Sequence, residues 1–469
     1  MNMKRGMKKA FRLLAVMVIC SVLCGCDNYL IGGDQQLMRP PYPAGEAKKI
    51  QEQLTKSLGA VTLKYPKNGK YRSAIIQIDL NGDGTEEALV FYRQDESKPI
   101  SLAVLKQSGG NWELVSQKDS EGGEVERVMF GDVNNNGSKE IIVGWTMYST
   151  GLNIISAYSF KDDNINAIDV REFSEAQAAN ISVAYTDMQI DDFDGDGCDE
   201  LIASYINLSD VSATAKLIEF RHGVAGADAM SVTDTVTLDG HVLNYTDTKV
   251  AKLTDDGMFG VVLDGYKDNS TMITEYIYWD TMEGDLKAPF YDEEEKAVTC
   301  TARNIDTTSR DIDSDGVMDI PVTEYLPGYD DASDSPMYLT TWYNADFEQS
   351  GYSFISRKRT VINTVESYSV TWQSSWDNNV TCRIDETNRI LYFYHYQKDQ
   401  FAFSSEIFRI KVSTADKWKA ELEELTQNAG SEPDYQILEE SGDTLYIALF
   451  AQGQNYVDKD LLKSYFSLM

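Results

Sequence analysis

Four segments of the chain repeat one pattern of oxygen-bearing side chains. Each reads D-x-[DN]-x-[DN]-G-x-x-[DE], and the first acids lie at positions 79, 132, 192 and 311. The glycine at position 6 lets the chain turn sharply, so the side chains at positions 1, 3 and 5 converge with the carbonyl at position 7 and the carboxylate at position 9. Hard oxygens with net negative charge suit Ca²⁺, which takes about six to eight such ligands. The pattern therefore predicts cation-binding loops.

The residues that follow each loop distinguish it from an EF-hand, which needs a glutamate at position 12. Position 12 is apolar in all four segments, where it is occupied by Val90, Val143, Ala203 and Val322. Apolar runs of this kind predict a strand instead of a helix. Each loop is therefore predicted to be the turn of a β-hairpin.

The four segments belong to an internal repeat. Their first acids are 53, 60 and 119 residues apart, and the last gap is about two periods. A degenerate copy stands in that gap at 253–257, where Leu253 replaces the acid of position 1 and the loop is shortened, so we expect no ion there. In chain order these are the first (79–87), second (132–140), third (192–200), fourth (253–257) and fifth (311–319) loops.

The residues between the loops supply further strands. After each loop the chain carries two β-rich segments around a turn, for example Trp112–Val115 after Gly109 and Gly110. With the strands that flank each loop, this gives four short strands per unit at a period of 50–60 residues. Such units are typical of β-propeller blades. Five units favour five blades, and a seven-bladed ring with two unmarked blades near the C-terminus is the alternative.

On these residues the units resemble the FG-GAP/VCBS repeat family, whose β-propellers carry acidic loops between blade strands. The resemblance covers about residues 60–364. It implies a set of Ca²⁺ ligands in each of four loops, three to four ions in all. The implied ligands are Asp79, Asn81, Asp83, Thr85 and Glu87; Asp132, Asn134, Asn136, Ser138 and Glu140; Asp192, Asp194, Asp196, Cys198 and Glu200; and Asp311, Asp313, Asp315, Val317 and Asp319, with the position-7 residue contributing its carbonyl.

Ligand charge ranks these loops. The formal charge of the side-chain ligands is −3, −2, −4 and −4 in the first, second, third and fifth loops. Calcium affinity rises with ligand charge, so the second loop is expected to bind most weakly. The alternative for every loop is an acidic, solvated turn without a metal.

The first residues are predicted to be an export signal. Basic residues precede an 11-residue apolar run, Leu13–Leu23, which is the length of a signal-peptide core. The following Leu23-Cys24-Gly25-Cys26 resembles the lipobox of bacterial lipoproteins, which implies removal of residues 1–25 and a lipid on Cys26. A simple secretory signal is the alternative. Residues 26–62 are predicted to be the lipidated N-terminus, a tether and a short helix, Glu46 to Leu58, ended by Gly59.

The period fails after the propeller region, which is assigned to residues 63–364. Residues 365–469 combine strand-like segments with a predicted helix, Asp416–Gln427, capped by Ser413 or Thr414, and a second short helix near Asp458. This mixture predicts a small α+β C-terminal domain, and two degenerate blades are the competing interpretation. The fold class is thus mainly β, a propeller followed by an α+β domain.

Composition limits the partners. The chain has 75 acidic and 42 basic residues and a formal net charge of −33, which makes nucleic acid a poor partner. Apart from the signal and the lipidated Cys26, Cys198, Cys300 and Cys382 remain, and three cysteines cannot all pair with one another. One bridge or three idle thiols are the alternatives.

No catalytic motif is present in the sequence. It contains no GxSxG, P-loop or GxGxxG, and its three histidines lie far apart. From the lipobox we expect a lipoprotein anchored through Cys26 on the extracytoplasmic side of a cell membrane. Its Ca²⁺-stabilised propeller would be a non-enzymatic binding or scaffolding module for an extracellular protein or glycan. The alternative is an envelope polysaccharide hydrolase or lyase with its active site on the propeller face.

Overall fold

The computed structural model describes residues 45–174, 179–223, 228–348, 351–397, 405–454 and 456–469. The predicted signal segment, the lipobox and Cys26 lie outside these residues. Within them the protein is mainly β, with antiparallel sheets that follow one another along the chain and three α-helices. The predicted fold class, a mainly β protein with a β-propeller followed by a small α+β region, is confirmed.

The first blade is an antiparallel sheet in which two short N-terminal strands both pair with β3. Its strands are β1 Thr62–Leu63, β2 Ile75–Ile78, β3 Glu87–Arg93, β4 Ser101–Ser108 and β5 Asn111–Asp119. Alternate residues of β3 enter different cores: Leu89 and Phe91 face the second blade, whereas Val90 and Tyr92 face a helix. A strand buried on both faces must be almost continuously apolar, which is why the run after each loop lacks polar alternation.

The second and third blades join in one sheet. The second contains β6 Glu124–Gly131, β7 Glu140–Thr146, β8 Asn153–Lys161 and β9 Asn164–Ser174, with β10 Ala179–Ile181 and β11 Ala184–Tyr185 on its edges. The third contains β12 Asp187–Asp191, β13 Glu200–Asn207, β14 Ser212–Arg221 and β15 Ala229–Leu238. The outer strands β9 and β15 pair in parallel and make a ten-stranded sheet.

The fourth and fifth blades are separate sheets. The fourth contains β16 Asn244–Lys252, β17 Phe259–Tyr266, β18 Met272–Asp280 and β19 Asp285–Lys287. The fifth contains β20 Ile320–Tyr325, β21 Tyr338–Glu348, β22 Gly351–Asn363 and β23 Tyr368–Thr371. Buried apolar clusters join each blade to the next along the chain, so the core is a series of layers between stacked sheets.

Helix α1, Glu46–Leu58, covers the face of the first blade that turns away from the second. Its fully buried Ile50 and Leu54 each contribute roughly 1.5–3 kcal/mol by leaving water. Gly59 ends the helix at φ 81, and its N–H donates to the Thr55 carbonyl at 2.9 Å. These bounds confirm the predicted helix and its stop.

The C-terminal region is a five-stranded antiparallel sheet with an inserted helix, in the order β24-β25-β26-β28-β27. Its elements are the 3-10 turn Ser374–Trp376, β24 Val380–Asp385, β25 Ile390–His395, β26 Glu406–Thr414, α2 Ala415–Ala429, β27 Tyr435–Ser441, β28 Thr444–Phe450, α3 Lys459–Tyr465 and β29 Phe466–Leu468. Thr414 caps α2 by accepting the N–H of Lys417, and Trp418 packs the helix on the sheet. The α+β prediction is therefore confirmed over the two degenerate blades.

The two regions share a core and a sheet. One apolar cluster joins the fifth blade to the C-terminal sheet, and β29 pairs with β23. The boundary predicted between residues 364 and 365 falls between β22 and β23, which belong to one sheet. All three cysteines within the described residues are free thiols. None of the helices described combines the length and apolarity needed to cross a membrane.

Candidate metal centres

Each of the first four loops joins two paired strands of its blade, and the fifth lies just before the first strand of its sheet. The first three loops connect β2 to β3, β6 to β7 and β12 to β13, and the fourth connects β16 to β17. The fifth precedes β20 and is closed by a bridge between Arg310 and Asp319. The apolar residues at position 12 all lie in strands, which confirms that the loops are hairpin turns and not EF-hands.

The four acidic loops share one hydrogen-bond scaffold, which the third loop illustrates. Both oxygens of Asp192 accept backbone N–H groups, from Gly195 at 2.8 Å and Gly197 at 3.1 Å. The Glu200 carboxylate accepts the N–H of Phe193 at 2.9 Å. The bonds to position 9 and from the position-6 glycine recur around Asp79 and Glu87, Asp132 and Glu140, and Asp311 and Asp319. The second N–H given to position 1 differs: it comes from position 4 in the first loop, as in the third, and from position 5 in the second and fifth loops.

The position-7 residues complete this scaffold. Their N–H groups donate to the position-5 side chains at 2.7–2.9 Å, from Thr85 to Asp83, Ser138 to Asn136, Cys198 to Asp196 and Val317 to Asp315. These bonds fix the direction of the position-5 side chain. The predicted role of the position-7 carbonyls stays a prediction.

The third loop is the best-formed candidate site. Asp192, Asp194, Asp196 and Glu200 each place a carboxylate oxygen within 4.8 Å of the others. Ligands at about 2.3–2.6 Å from a common Ca²⁺ are separated by distances of this order. Burial and, to a smaller extent, the charges of the neighbouring aspartates raise the pKa of Glu200 to about 8. A bound cation would lower the pKa of Glu200 again, because a positive charge favours the ionised carboxylates.

The fifth loop brings three carboxylates together and holds a fourth in the core. Asp311, Asp313 and Asp315 have oxygens within 4.8 Å of one another. Asp319 is fully buried, and its Oδ1 has no hydrogen-bond partner, although buried polar atoms are normally satisfied. Burial raises the pKa of Asp319 to about 7. A cation in this loop would supply the missing partner.

An arginine changes the charge of the fifth loop. The Arg357 guanidinium on β22 donates to Asp313 Oδ2 at 3.1 Å and to Asp315 Oδ2. Its positive charge offsets part of the formal charge of −4, so the third and fifth loops are not equivalent. The sequence pattern contains no signal for this contact, because Arg357 comes from a strand 42 residues beyond Asp315.

Asparagine at position 3 distinguishes the first two loops. Asn81 and Asn134 each donate an amide N–H to the position-9 carboxylate, at 3.1 Å to Glu87 and 3.0 Å to Glu140. Burial raises the pKa of Glu87 and brings that of Glu140 to about 7. The amide thus partly satisfies a carboxylate that a cation would otherwise stabilise. The buried Asn134 Oδ1 has no hydrogen-bond partner, so this oxygen could still bind a cation.

The fourth loop is a turn that is closed by a hydrogen bond between backbone groups. Leu253 is fully buried between the fourth and fifth blades, and its N–H donates to the Met258 carbonyl at 2.8 Å. An apolar side chain therefore occupies the place of the position-1 acid and points into the core. This is the physical reason why the motif is lost here while the period continues.

Neighbouring loops are bonded to each other. The Asp199 carboxylate in the third loop accepts the N–H of Asp132 at 2.7 Å, and the Asp199 N–H donates to the Asp132 carbonyl at 3.0 Å. The Lys139 N–H in the second loop donates to the Leu80 carbonyl of the first at 2.8 Å. Gly82 has φ +73, and a Cβ there would lie 2.3 Å from a carbonyl oxygen of the second loop. Sequence reasoning missed Asp199, whose only signal is an extra acid before Glu200.

Two buried polar clusters were also missed. Arg303 and Asp264 are fully buried and ion-paired at 2.6 Å. Glu275 accepts the Tyr245 hydroxyl at 2.9 Å and the N–H of Asp239, and burial raises its pKa to about 7. Both clusters hold elements of the fourth blade together, and their side chains lie in the protein interior and not in an open cleft.

A large groove opens beside the third loop, with a volume of about 1140 Å³. Its walls are the start of the third loop, the turn 256–259, the end of β18 with the following turn, and Phe347 on β21. The groove is a second candidate site, and no motif in the sequence indicates it, since three blades contribute to it.

No protein-family model and no curated protein matches the chain. Among solved structures, the Dos1 propeller is 11% identical over 69% of this chain and 64% of its own length, with a TM-score of 0.27. Rhamnogalacturonan lyase YesW is 12% identical over 71% of this chain and 74% of that one, with a TM-score of 0.28.

A third likeness is to a Bacillus licheniformis rhamnogalacturonan lyase, which is 10% identical over 84% of this chain and 92% of that one, with a TM-score of 0.27. Likenesses at these TM-scores carry no argument about activity. The class of the protein is defined by its own strand pairing and loops: a β-propeller with acidic hairpin loops and an α+β C-terminal region.

Proposed function

We propose that the protein is an exported, lipid-anchored binding or scaffolding module whose propeller blades are stabilised by Ca²⁺. The observation that carries the metal proposal is the third loop, where four carboxylates converge within 4.8 Å. All its side-chain donors are oxygens, the ligand type that Ca²⁺ prefers. The same loops support membership of the FG-GAP/VCBS repeat family.

The ions would link the first two strands of a blade. In the third loop Asp192, Asp194, Asp196, Glu200 and the Cys198 carbonyl would hold one ion between β12 and β13. The fifth loop would use Asp311, Asp313, Asp315, Asp319 and the Val317 carbonyl before β20. The first and second loops would hold ions more weakly, since an amide already bonds their position-9 carboxylates. Bound Ca²⁺ stabilises the folded state by mass action.

Calcium titration by calorimetry, combined with thermal melting, tests this proposal. We expect the melting temperature to rise between chelator and millimolar Ca²⁺, and we expect Asp192→Asn with Asp194→Asn to remove the tightest binding event. Asp255→Asn in the fourth loop is the matched control, because it removes an exposed acid where no ion is expected. An unchanged melting temperature in the unmodified protein would refute the metal proposal.

The anchor is supported by the sequence before the described residues, where Leu23-Cys24-Gly25-Cys26 follows an apolar run. The lipid on Cys26 would hold the propeller on the extracytoplasmic side of a cell membrane. Incorporation of labelled palmitate and recovery in the membrane fraction test it. Cys26→Ser should abolish both, whereas Cys24→Ser should leave both intact. Equal labelling of the two variants would contradict the anchor.

A polysaccharide hydrolase or lyase is the second candidate, and the groove beside the third loop is the observation that favours it. The groove has room for several sugar units, and its walls carry Asp280 and Glu283. Release of reducing ends or unsaturated sugars from envelope polysaccharides tests this activity. Product formation that is lost in Glu283→Gln would favour the enzyme over the binding module.

A further inference from the structure

The groove beside the third loop exposes apolar side chains that a soluble surface normally covers. Phe259 is 56% exposed and Met282 is 81% exposed. Tyr278 and Phe347 stack in the same wall, with ring centroids 4.9 Å apart and an interplanar angle of 28°. A concave surface with exposed aromatic and methionine side chains marks a binding site more often than a solvated surface.

The same walls are acidic. Asp256, Asp280 and Glu283 line the groove together with the start of the third loop. Among the described residues that line the groove, Lys287 is the one basic side chain, and its ammonium group lies 2.7 Å from Asp285 Oδ2. The walls stay negative when Ca²⁺ fills the third loop, because four loop carboxylates exceed the charge of one ion.

We propose that this groove docks a lysine- and arginine-rich polypeptide segment of a partner protein. The inference rests on the proposed function as a binding module and names the chemistry of its partner. A cationic side chain gains from both features of the groove, since it pairs with the carboxylates and lies favourably over aromatic faces. A neutral polysaccharide would gain the stacking without the charge attraction, and a polyanion would be repelled.

Two turns of the groove supply the side chains that would contact the partner segment. Asp256 and Phe259 lie three residues apart where the chain enters β17, and both line the groove. On the turn after β18, the exposed thioether side chain of Met282 stands next in sequence to the acid Glu283, and both line the groove. Asp280 holds this second turn, because its Oδ1 accepts the N–H of Met282 at 2.8 Å and that of Glu283 at 3.2 Å. Asp256 and Glu283 are therefore the acids to neutralise, and Asp280 is left intact.

Fluorescence anisotropy with a labelled oligopeptide of alternating arginine and glycine tests the proposal, with the purified protein at constant millimolar Ca²⁺. We expect saturable binding that weakens as salt rises. Neutralising Asp256→Asn and Glu283→Gln together should weaken binding roughly tenfold, and Phe259→Ala roughly fivefold. The control double variant Glu96→Gln with Glu440→Gln removes two exposed acids far from the groove in sequence and should change binding by less than about twofold.

Three outcomes overturn the proposal: no peptide binding, equal weakening in the control double variant, or tighter binding of a neutral oligosaccharide that depends on Phe259. Phe259→Leu keeps an apolar side chain and removes the ring, so it separates loss of the ring from loss of folding. Thermal melting of every variant with and without Ca²⁺ reports the proposed function separately. Intact calcium stabilisation without peptide binding would refute the docking groove alone.

Discussion

Replacing Glu200 with glutamine should stabilise the cation-free protein and at the same time weaken its response to Ca²⁺. Glu200 is 3% exposed, and its carboxylate lies within 4.8 Å of Asp192, Asp194 and Asp196. Glutamine keeps a carbonyl oxygen to accept the Phe193 N–H, a bond that is 2.9 Å long in the unmodified protein. It removes only the ionisable group, which must take up a proton on folding in chelator and which binds the cation as a carboxylate when Ca²⁺ is present.

The magnitude follows from the pKa of Glu200, which rises from an ordinary value of 4.5 to about 8. At pH 7 the folded, cation-free protein holds a proton on Glu200 that the unfolded chain has released. Only the part of the shift between 4.5 and pH 7 counts at this pH, so at about 1.4 kcal/mol per pKa unit the difference lowers the free energy of unfolding by roughly 3 kcal/mol. Stability is lost as pH rises from 4.5 towards 8, because the folded state binds more protons over that window.

Urea unfolding and thermal melting of the Glu200→Gln variant at pH 4.5 and pH 7 test this reasoning. In chelator we expect the variant to be more stable than the unmodified protein at pH 7, by at least about 1 kcal/mol, and similar at pH 4.5. With millimolar Ca²⁺ its gain in stability should be smaller than that of the unmodified protein. Glu440→Gln, which neutralises an exposed acid, is the control. A variant that is less stable in chelator at pH 7, or that keeps the full calcium response, would refute the argument.

Three further changes test contacts that the fold creates. Asp199→Ala should lower the Ca²⁺ affinity of the second loop severalfold in calorimetry, because Asp199 holds the N–H of Asp132 although it is not a predicted ligand. Arg357→Gln should raise the Ca²⁺ affinity of the fifth loop, which loses a competing positive charge; unchanged affinity would contradict that role. Arg303→Met should cost about 3–5 kcal/mol in urea unfolding, because it leaves Asp264 buried without its ionic partner, and a loss below 1 kcal/mol would contradict the ion pair.

The parts of the fold that could be predicted are those decided within a few residues. The helix Glu46–Leu58 ends where Gly59 adopts a positive φ, and α2 begins after the cap at Thr414. The hairpin loops were predictable for the same reason, since each closes through hydrogen bonds between residues at most seven positions apart. The blades followed from the repeat period and from the apolar run after each loop.

Contacts between distant residues were not predictable. The sequence ranked the third and fifth loops as equal in charge, but Arg357 lies across the fifth loop alone. The pairing of β23 with β29 was equally unpredictable, because the two strands lie almost 100 residues apart in the chain. A repeat motif specifies its own hydrogen bonds, but it contains no information about which side chain of another strand will lie against it.

Local sequence patterns are enough to specify the repeating blade, the turn that closes it and the oxygen-rich donors in four of five turns. These features are local, since a glycine, a few polar side chains and an apolar strand suffice to form them. Three properties arise from the packing of distant residues: which carboxylates converge, which loops are bonded through Asp199, and the acidic, aromatic groove between three blades. Those properties depend on how stacked sheets bring separate turns together, and packing between layers is set by the whole chain.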